Sequence, residues 1–310
     1  MEPLFSKSVY EFSIDLVRRI AQETDYHFVA STLSPWTLLA YTSLGAANNS
    51  LEELNTILRL NPHKCFNKEY FEITKSIYSP STNTTLEGTS ATFVGEKVAV
   101  KEVFKNKSKK AGVSEVKQVS FDNYDYVAAY INNIVKTPTN GAIHKTVLAS
   151  DLENVALMII DALRFKGMWK IPFPIHETKK NSFYDNMNNK LGDVNLMSIT
   201  DNFNFKYMDK INITILDLPY SDDRFSMLLF LPDEGVKLSN VVNSLKEISL
   251  KSLFTYFKEQ ERPEVTVKLP RFKISSDLNN LKQLFIDVGL KTIFDNKQAQ
   301  LQEGQSFIYF

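Results

Sequence analysis

The chain has a single cysteine, Cys65, among its 310 residues, so a disulfide framework within it is excluded. A chain of this length does not need one, because it can bury most of its unfolded surface around a hydrophobic core. An excess of charge of one sign is also missing, since 36 Lys+Arg face 36 Asp+Glu and the formal net charge is +0. Binding to a phosphate backbone or an anionic bilayer depends on Lys and Arg concentrated on one face, so no nucleic acid and no membrane is expected among the partners. Long apolar runs are absent as well: Val155 to Ile160 ends at Asp161, and Met227 to Leu231 ends at Pro232. Both fall far short of the ~18 residues of a membrane span. The opening Met1-Glu2-Pro3-Leu4-Phe5-Ser6 has neither a basic n-region nor an apolar h-region, so a secretion signal has been removed or never existed.

Catalytic signatures are missing too. With only 10 Gly there is no glycine-rich phosphate loop ending in Lys-Ser/Thr, and the sequence holds neither a Gly-x-Ser-x-Gly elbow nor a His-Glu-x-x-His helix. The four histidines, His27, His63, His144 and His176, lie far apart, and none has a partner at i+4 that would begin a zinc cluster. Cys65 lies two residues from His63, a spacing that does not set up a thiol–imidazole dyad. The expectation is therefore a protein that is not an enzyme and carries no cofactor and no metal.

The apolar pattern that is present argues for helices first and strands later. Phe5, Val9, Phe12, Leu16 and Ile20 recur at three- and four-residue spacing, the stripe of an amphipathic helix. Ser34-Pro35 reads as an N-cap followed by proline at the first helical position, with Gly45 as the stop. Ser50 and Glu53 have capping-box spacing ahead of Leu54 and Leu58. Tyr126 to Val135 and Leu278 to Val288 read as further helices. Thr92 to Val100 is rich in β-branched and aromatic residues, and Val155 to Phe165 is almost continuously apolar without a helical stripe, as for strands of a large sheet covered on both faces. Ile213 to Leu218 and Phe225 to Leu231 flank Pro219-Tyr220-Ser221-Asp222-Asp223-Arg224, a polar turn of a hairpin. Glu264 to Leu269 alternates with period two before Pro270. No repeat or low-complexity linker divides the chain, so residues 1–310 read as one mixed α+β domain.

Two surface features carry weaker signals. Lys101, Lys105, Lys107, Lys109 and Lys110 form the one basic cluster, which reads as a solvated helical face or as a site for a sulfated polysaccharide. Asn48-Asn49-Ser50, Asn83-Thr84-Thr85, Asn106-Lys107-Ser108 and Asn212-Ile213-Thr214 satisfy the N-glycosylation pattern at about the frequency chance provides. Of these, Asn83 and Asn212 are the candidate acceptors. The expected compartment is extracellular, with the cytoplasm as the alternative.

A series of short motifs is more specific. In order, it consists of Ser34-Pro35 with Leu44-Gly45-Ala46, Ser50 and Glu53; Asn140-Gly141-Ala142-Ile143; Phe165-Lys166-Gly167-Met168-Trp169 with Pro172-Phe173; Leu218-Pro219-Tyr220; Ser226-Met227 with Leu231-Pro232; and Leu269-Pro270-Arg271-Phe272-Lys273-Ile274. Together they span nearly the whole chain and resemble the serpin family. The resemblance implies an α+β serpin fold, with helices packed around a large central mixed β-sheet and two smaller sheets. It also implies a metastable inhibitor that traps serine or, less commonly, cysteine proteases by inserting its cleaved reactive loop into the central sheet. The alternative within the family is a non-inhibitory binding, carrier or folding-accessory protein. Ser34, Thr37 and Asp161 match the family's shutter region beneath the point where the sheet parts, with Asp161 where the family usually has Asn. Trp169 matches the breach at the top of the sheet. No hinge-like run of Glu-Gly-Thr with repeated Ala occurs, and the sequence stops at Phe310. The expectation is thus a serpin truncated before the hinge, reactive-centre loop and C-terminal strands, with no reactive-site residue in these 310 residues.

Overall fold

The computed structural model describes residues 2–61, 64–77, 83–96, 102, 105–106, 114–153, 155, 157–185, 187–274, 276, 278, 281–295 and 308–309. Four helices come first: α1 (Glu2–Glu23), α2 (Leu33–Ser43), α3 (Asn48–Ile57) and α4 (Lys64–Ile77). Strands β1 (Thr84–Gly95) and β2 (Glu115–Val119) follow, then α5 (Tyr124–Lys136) and β3 (Leu157–Gly167). Six strands and two helices come next: β4 (Lys179–Tyr184), β5 (Lys190–Asn202), β6 (Asn204–Met208), β7 (Ile213–Pro219), β8 (Ser226–Pro232), α6 (Leu238–Ser244), α7 (Leu250–Glu259) and β9 (Glu264–Pro270). Helix α8 (Leu281–Asp287) and the two-residue β10 (Ile308–Tyr309) complete the described elements.

The largest sheet is mixed and four-stranded, in the order β10-β3-β1-β2, and two three-stranded sheets, β4-β5-β9 and β6-β7-β8, accompany it. β1 runs antiparallel to β3 from Thr84 opposite Gly167 to Val94 opposite Leu157. β3 reads as a largely apolar run because both of its faces are covered. The two-residue period sends Val94 and Ile159 into one core, with Phe12, Leu16, Ile20, Trp36 and Leu39 of α1 and α2. The alternate residues Phe93, Met158, Ile160 and Ala162 enter a second core, against Val127, Ala128, Ile131 and Val135 of α5. α2 is buried almost all round, with Trp36, Leu39 and Tyr41 at 0% exposure, and the indole Nε1 of Trp36 donates to the Leu58 carbonyl at 3.3 Å.

Helix α5 and the loop after it are fixed by side chains that suit those positions. Asn123 caps α5, its Oδ1 accepting from the Tyr126 N–H at 3.1 Å. Asn132 binds the loop on both sides: its Oδ1 accepts from Thr146 N–H at 2.7 Å and Val147 N–H at 3.0 Å, and its Nδ2 donates to the Val147 carbonyl at 2.8 Å. The Asn140-Gly141 pair turns the chain out of the helix at φ 51° and 74°, a left-handed region in which Asn and Gly are the least strained residues.

Two helix starts differ from the sequence expectation. α2 begins at Leu33 with Thr32 as its cap residue, so Ser34 and Pro35 sit inside the first turn, not at the boundary. Proline is still free there, since first-turn N–H groups have no intrahelical acceptor. The Ser34 N–H donates instead to Ser31 Oγ at 3.3 Å, and the Ser34 hydroxyl is released for a tertiary bond. Likewise Ser50 and Glu53 form no capping box, because α3 begins at Asn48. The Glu53 carboxylate accepts from the Lys291 N–H at 2.9 Å, the Thr292 N–H at 2.8 Å and the Thr292 hydroxyl at 3.0 Å. The Thr292 hydroxyl oxygen also lies 3.2 Å from Ser50 Oγ. Two otherwise orphaned backbone donors of the 3-10 turn Thr292–Phe294 outweigh a local cap.

Glu53→Ala would strand those two N–H groups, at a cost of about 1–3 kcal/mol, whereas Glu53→Gln keeps an acceptor in place. Thermal unfolding should therefore rank wild type, Gln, Ala in falling midpoint. Equal midpoints for all three would show that solvent replaces the carboxylate.

Candidate functional site

The two edges of β3 differ. On one side it is bonded along its whole length to β1. On the other, β10 pairs with it in parallel only at Leu157 and Met158, so from Ile159 to Gly167 no described residue bonds that edge. Extended backbone with unpaired N–H and C=O groups is a template for another strand.

Asp161 lies in the middle of this open stretch, on the face that meets α2. Its direct partner across the ladder is Ser90. Burial pushes the Asp161 carboxyl above the ordinary carboxylate range, and a hydrogen bond from Ser34 opposes part of that rise. The Ser34 hydroxyl is free to donate to the carboxylate because it accepts from Ser31 Oγ, at 3.1 Å. Among the described residues no cation neutralises Asp161: Arg164 lies on the opposite face, where it pairs with Glu87 at 2.6 Å. Thr37, expected as a second donor, is 3% exposed, and its Oγ1 has no hydrogen-bond partner among the described residues. Ser31 and Ser90 completed this cluster unannounced by the sequence, because strand register and the approach of α2 are tertiary facts.

Trp169 closes the top of β3. Its ring stacks on Tyr220 with centroids 4.6 Å apart and planes at 9°, while Phe173 meets it edge-on at 6.5 Å. Backbone bonds reinforce the contact, with Lys170 N–H donating to the Pro219 carbonyl at 2.9 Å and Ser221 N–H to the Met168 carbonyl at 2.7 Å. Gly167 lets Tyr220 come this close, since a Cβ there would stand 2.6 Å from Tyr220 Cδ1. The pairing ties the end of β3 to the end of β7. The motifs around Trp169 and Tyr220 were legible in the sequence, but their stacking was not. In the turn between β7 and β8, Asp222 holds Arg224 at 2.7 Å and Asp223 binds Lys170, which is turn and surface chemistry.

The remaining sequence candidates lie apart from this strand. Asn83 and Asn212 are both exposed, and Asn212 occupies a left-handed turn position at φ 50°. Of the lysine cluster only Lys105 is among the described residues, paired with Glu102 at 2.9 Å; Lys101, Lys107, Lys109 and Lys110 lie outside them, as do His63 and the side chain of Cys65. Among the described residues no three His, Cys, Asp or Glu side chains gather where they could hold a metal ion. No described helix is long and apolar enough to cross a membrane.

Comparison with known proteins agrees with this architecture. A family model described as serpin (serine protease inhibitor) matches residues 7–306. The sequence is 27% identical over 300 residues to a serine protease inhibitor of Rattus norvegicus, covering 94% of this chain and 69% of that protein. It is 26% identical over 295 residues to serpin B9 of Homo sapiens, covering 94% of this chain and 77% of that protein. The crystal structure of Manduca sexta serpin-12 superposes with a TM-score of 0.84 at 25% identity, covering 95% of this chain and 80% of that one. A cleaved serpin 42Da gives a TM-score of 0.86 at 25% identity, covering 97% and 81%.

The buried carboxylate has a calculable signature. A folded pKa above the unfolded one means that the native state binds more protons, so Asp161 stabilises most below the unfolded carboxylate value of about 4. That stability is lost as pH rises through the higher, folded value. Asp161→Asn keeps the shape and removes the charge. It should stabilise the fold at pH 7.5 by about 1–3 kcal/mol and flatten the decline above pH ~4. Denaturant melts of both proteins across pH check this, and an unchanged or lower stability of the variant at pH 7.5 would contradict it.

Proposed function

The chain belongs to the serpin family, and we propose that its parent protein acts as a protease inhibitor of serpin type, by letting an additional strand, the reactive loop, enter the central sheet along the edge of β3 that no described residue bonds. One observation carries the reading: among the described residues, β3 is bonded on a single side from Ile159 to Gly167. A strand laid there gains a full ladder of backbone hydrogen bonds, as in other β-addition complexes. The chain's own contribution is mechanical. The Trp169–Tyr220 stack holds the top of the opening, α2 supports it from beneath through Ser34, and the strand interior is already aligned by β1. The target is a serine protease or, less commonly, a cysteine protease, and the compartment extracellular. In that compartment the exposed Asn83 and Asn212 would serve as glycan acceptors.

A second reading within the family is non-inhibitory capture of a strand from another protein. The hinge sequence discriminates the two, since rapid insertion in cis requires small, unhindered side chains there.

The reading predicts that a Thr- and Ala-rich synthetic peptide stabilises the protein. At about a hundred times its Kd it should add ~2.7 kcal/mol to the unfolding free energy, visible as a concentration-dependent rise in Tm. No shift at any peptide concentration would contradict strand entry. The protease arm separates the two readings. Run on the parent protein with its reactive loop, a detergent-stable band at the summed mass with a serine protease supports the inhibitory one, and peptide capture without such a band supports the second.

A further inference from the structure

Beneath the open edge of β3, three buried polar atoms have no hydrogen-bond partner among the described residues: Asp161 Oδ2, Thr37 Oγ1 and Ser90 Oγ. They belong to one place. Ser90 and Asp161 are direct cross-strand neighbours, which puts their side chains on the same face. Asp161 reaches Ser34 on α2, and Thr37 lies one turn along the same face of that helix. Unpartnered buried polar atoms cost free energy individually, so three together mark a cluster that lacks a component.

The chemistry of the missing component follows from the donors and acceptors present. A carboxylate only accepts, and the two hydroxyls accept as well as donate. A neutral amide offers two N–H donors and an acceptor but would leave the charge of Asp161 unmatched. An ammonium offers three N–H donors and a guanidinium five, and either one supplies the positive charge. None of the described elements around the cluster provides it. α2 carries no charged residue. Glu87 is the one charged residue of β1, and it faces away with Arg164. Arg164 and Lys166 of β3 both point to the opposite face, being separated from Asp161 by odd numbers of residues.

We propose that this cluster is a subsite for a Lys or Arg side chain carried on a strand laid along the open edge of β3, and that it selects which strands the sheet accepts. The inference rests on the strand-acceptor reading above. Geometry limits the position of the cation. A strand neighbouring β3 brings a side chain on the same face within about 5.5 Å of Asp161. In the parallel register set by Tyr309 opposite Met158, that side chain belongs to the residue three places beyond the one opposite Met158.

A positional scan tests it. Acetylated and amidated peptides of about nine residues, built from Thr and Ala with one norleucine, are compared with the same peptides carrying Lys in place of norleucine. Binding is measured by calorimetry to the wild-type chain and to Asp161→Asn. Lys at one position should bind about tenfold tighter than norleucine there, and in Asp161→Asn the ratio of Lys to norleucine affinity at that position should fall to about one. If norleucine peptides bind but Lys brings no positional gain, or if the gain survives in Asp161→Asn, the subsite is wrong and the strand-acceptor reading stands. If no peptide of either kind binds, the strand-acceptor reading fails and the subsite fails with it.

Discussion

A backbone N–H or C=O taken from water has to find a partner, and in the largest sheet the described residues pair β3 along its whole length on one edge only. One edge is satisfied by β1 along eleven paired residues, from Leu157 to Gly167. On the other, the described residues supply partners through β10 at Leu157 and Met158 alone. The rest of the architecture keeps the exposed edge extended and in place. α5 covers one face of the strand through Val127, Ile131 and Val135, and α1 and α2 cover the other through Phe12, Leu16 and Trp36. At its far end the Trp169–Tyr220 stack fastens the strand to β7. A strand so held stays extended, the conformation that strand addition as proposed above requires.

Asp161 adds a chemical constraint to the mechanical one. A carboxylate in the middle of a largely buried strand, supported by hydroxyls alone, raises the free energy of the sheet in its open form. The hydrogen bond from Ser34 lowers the Asp161 carboxyl less than burial raises it.

Much of this was legible in the sequence, for definable reasons. The run from Val155 to Phe165 announced a strand covered on both faces, since neither a helical stripe nor a two-residue alternation could explain it. The stripe Phe12, Leu16, Ile20 announced α1, and the polar turn at Ser221-Asp222-Asp223-Arg224 placed the β7–β8 hairpin. The misplaced features were those in which a local rule lost to a tertiary bond. Ser34 has the spacing of an N-cap but turns to Asp161, and Glu53 has the spacing of a capping box but serves the turn at Thr292. Partners across the sheet, such as Ser90 for Asp161, and across elements, such as Tyr220 for Trp169, depend on register and approach that no linear pattern encodes.

The open edge of β3 can be read directly by amide hydrogen exchange at single-residue resolution. In an antiparallel pair, alternate residues direct their N–H groups toward the partner and the others away from it. Between Ile159 and Lys166, every second amide should therefore be protected by β1, while the intervening ones exchange orders of magnitude faster. Addition of a bound strand should slow those fast amides selectively. Uniform protection along β3 in the free chain would mean that its second edge is already bonded, and the strand-acceptor account of this protein would be wrong.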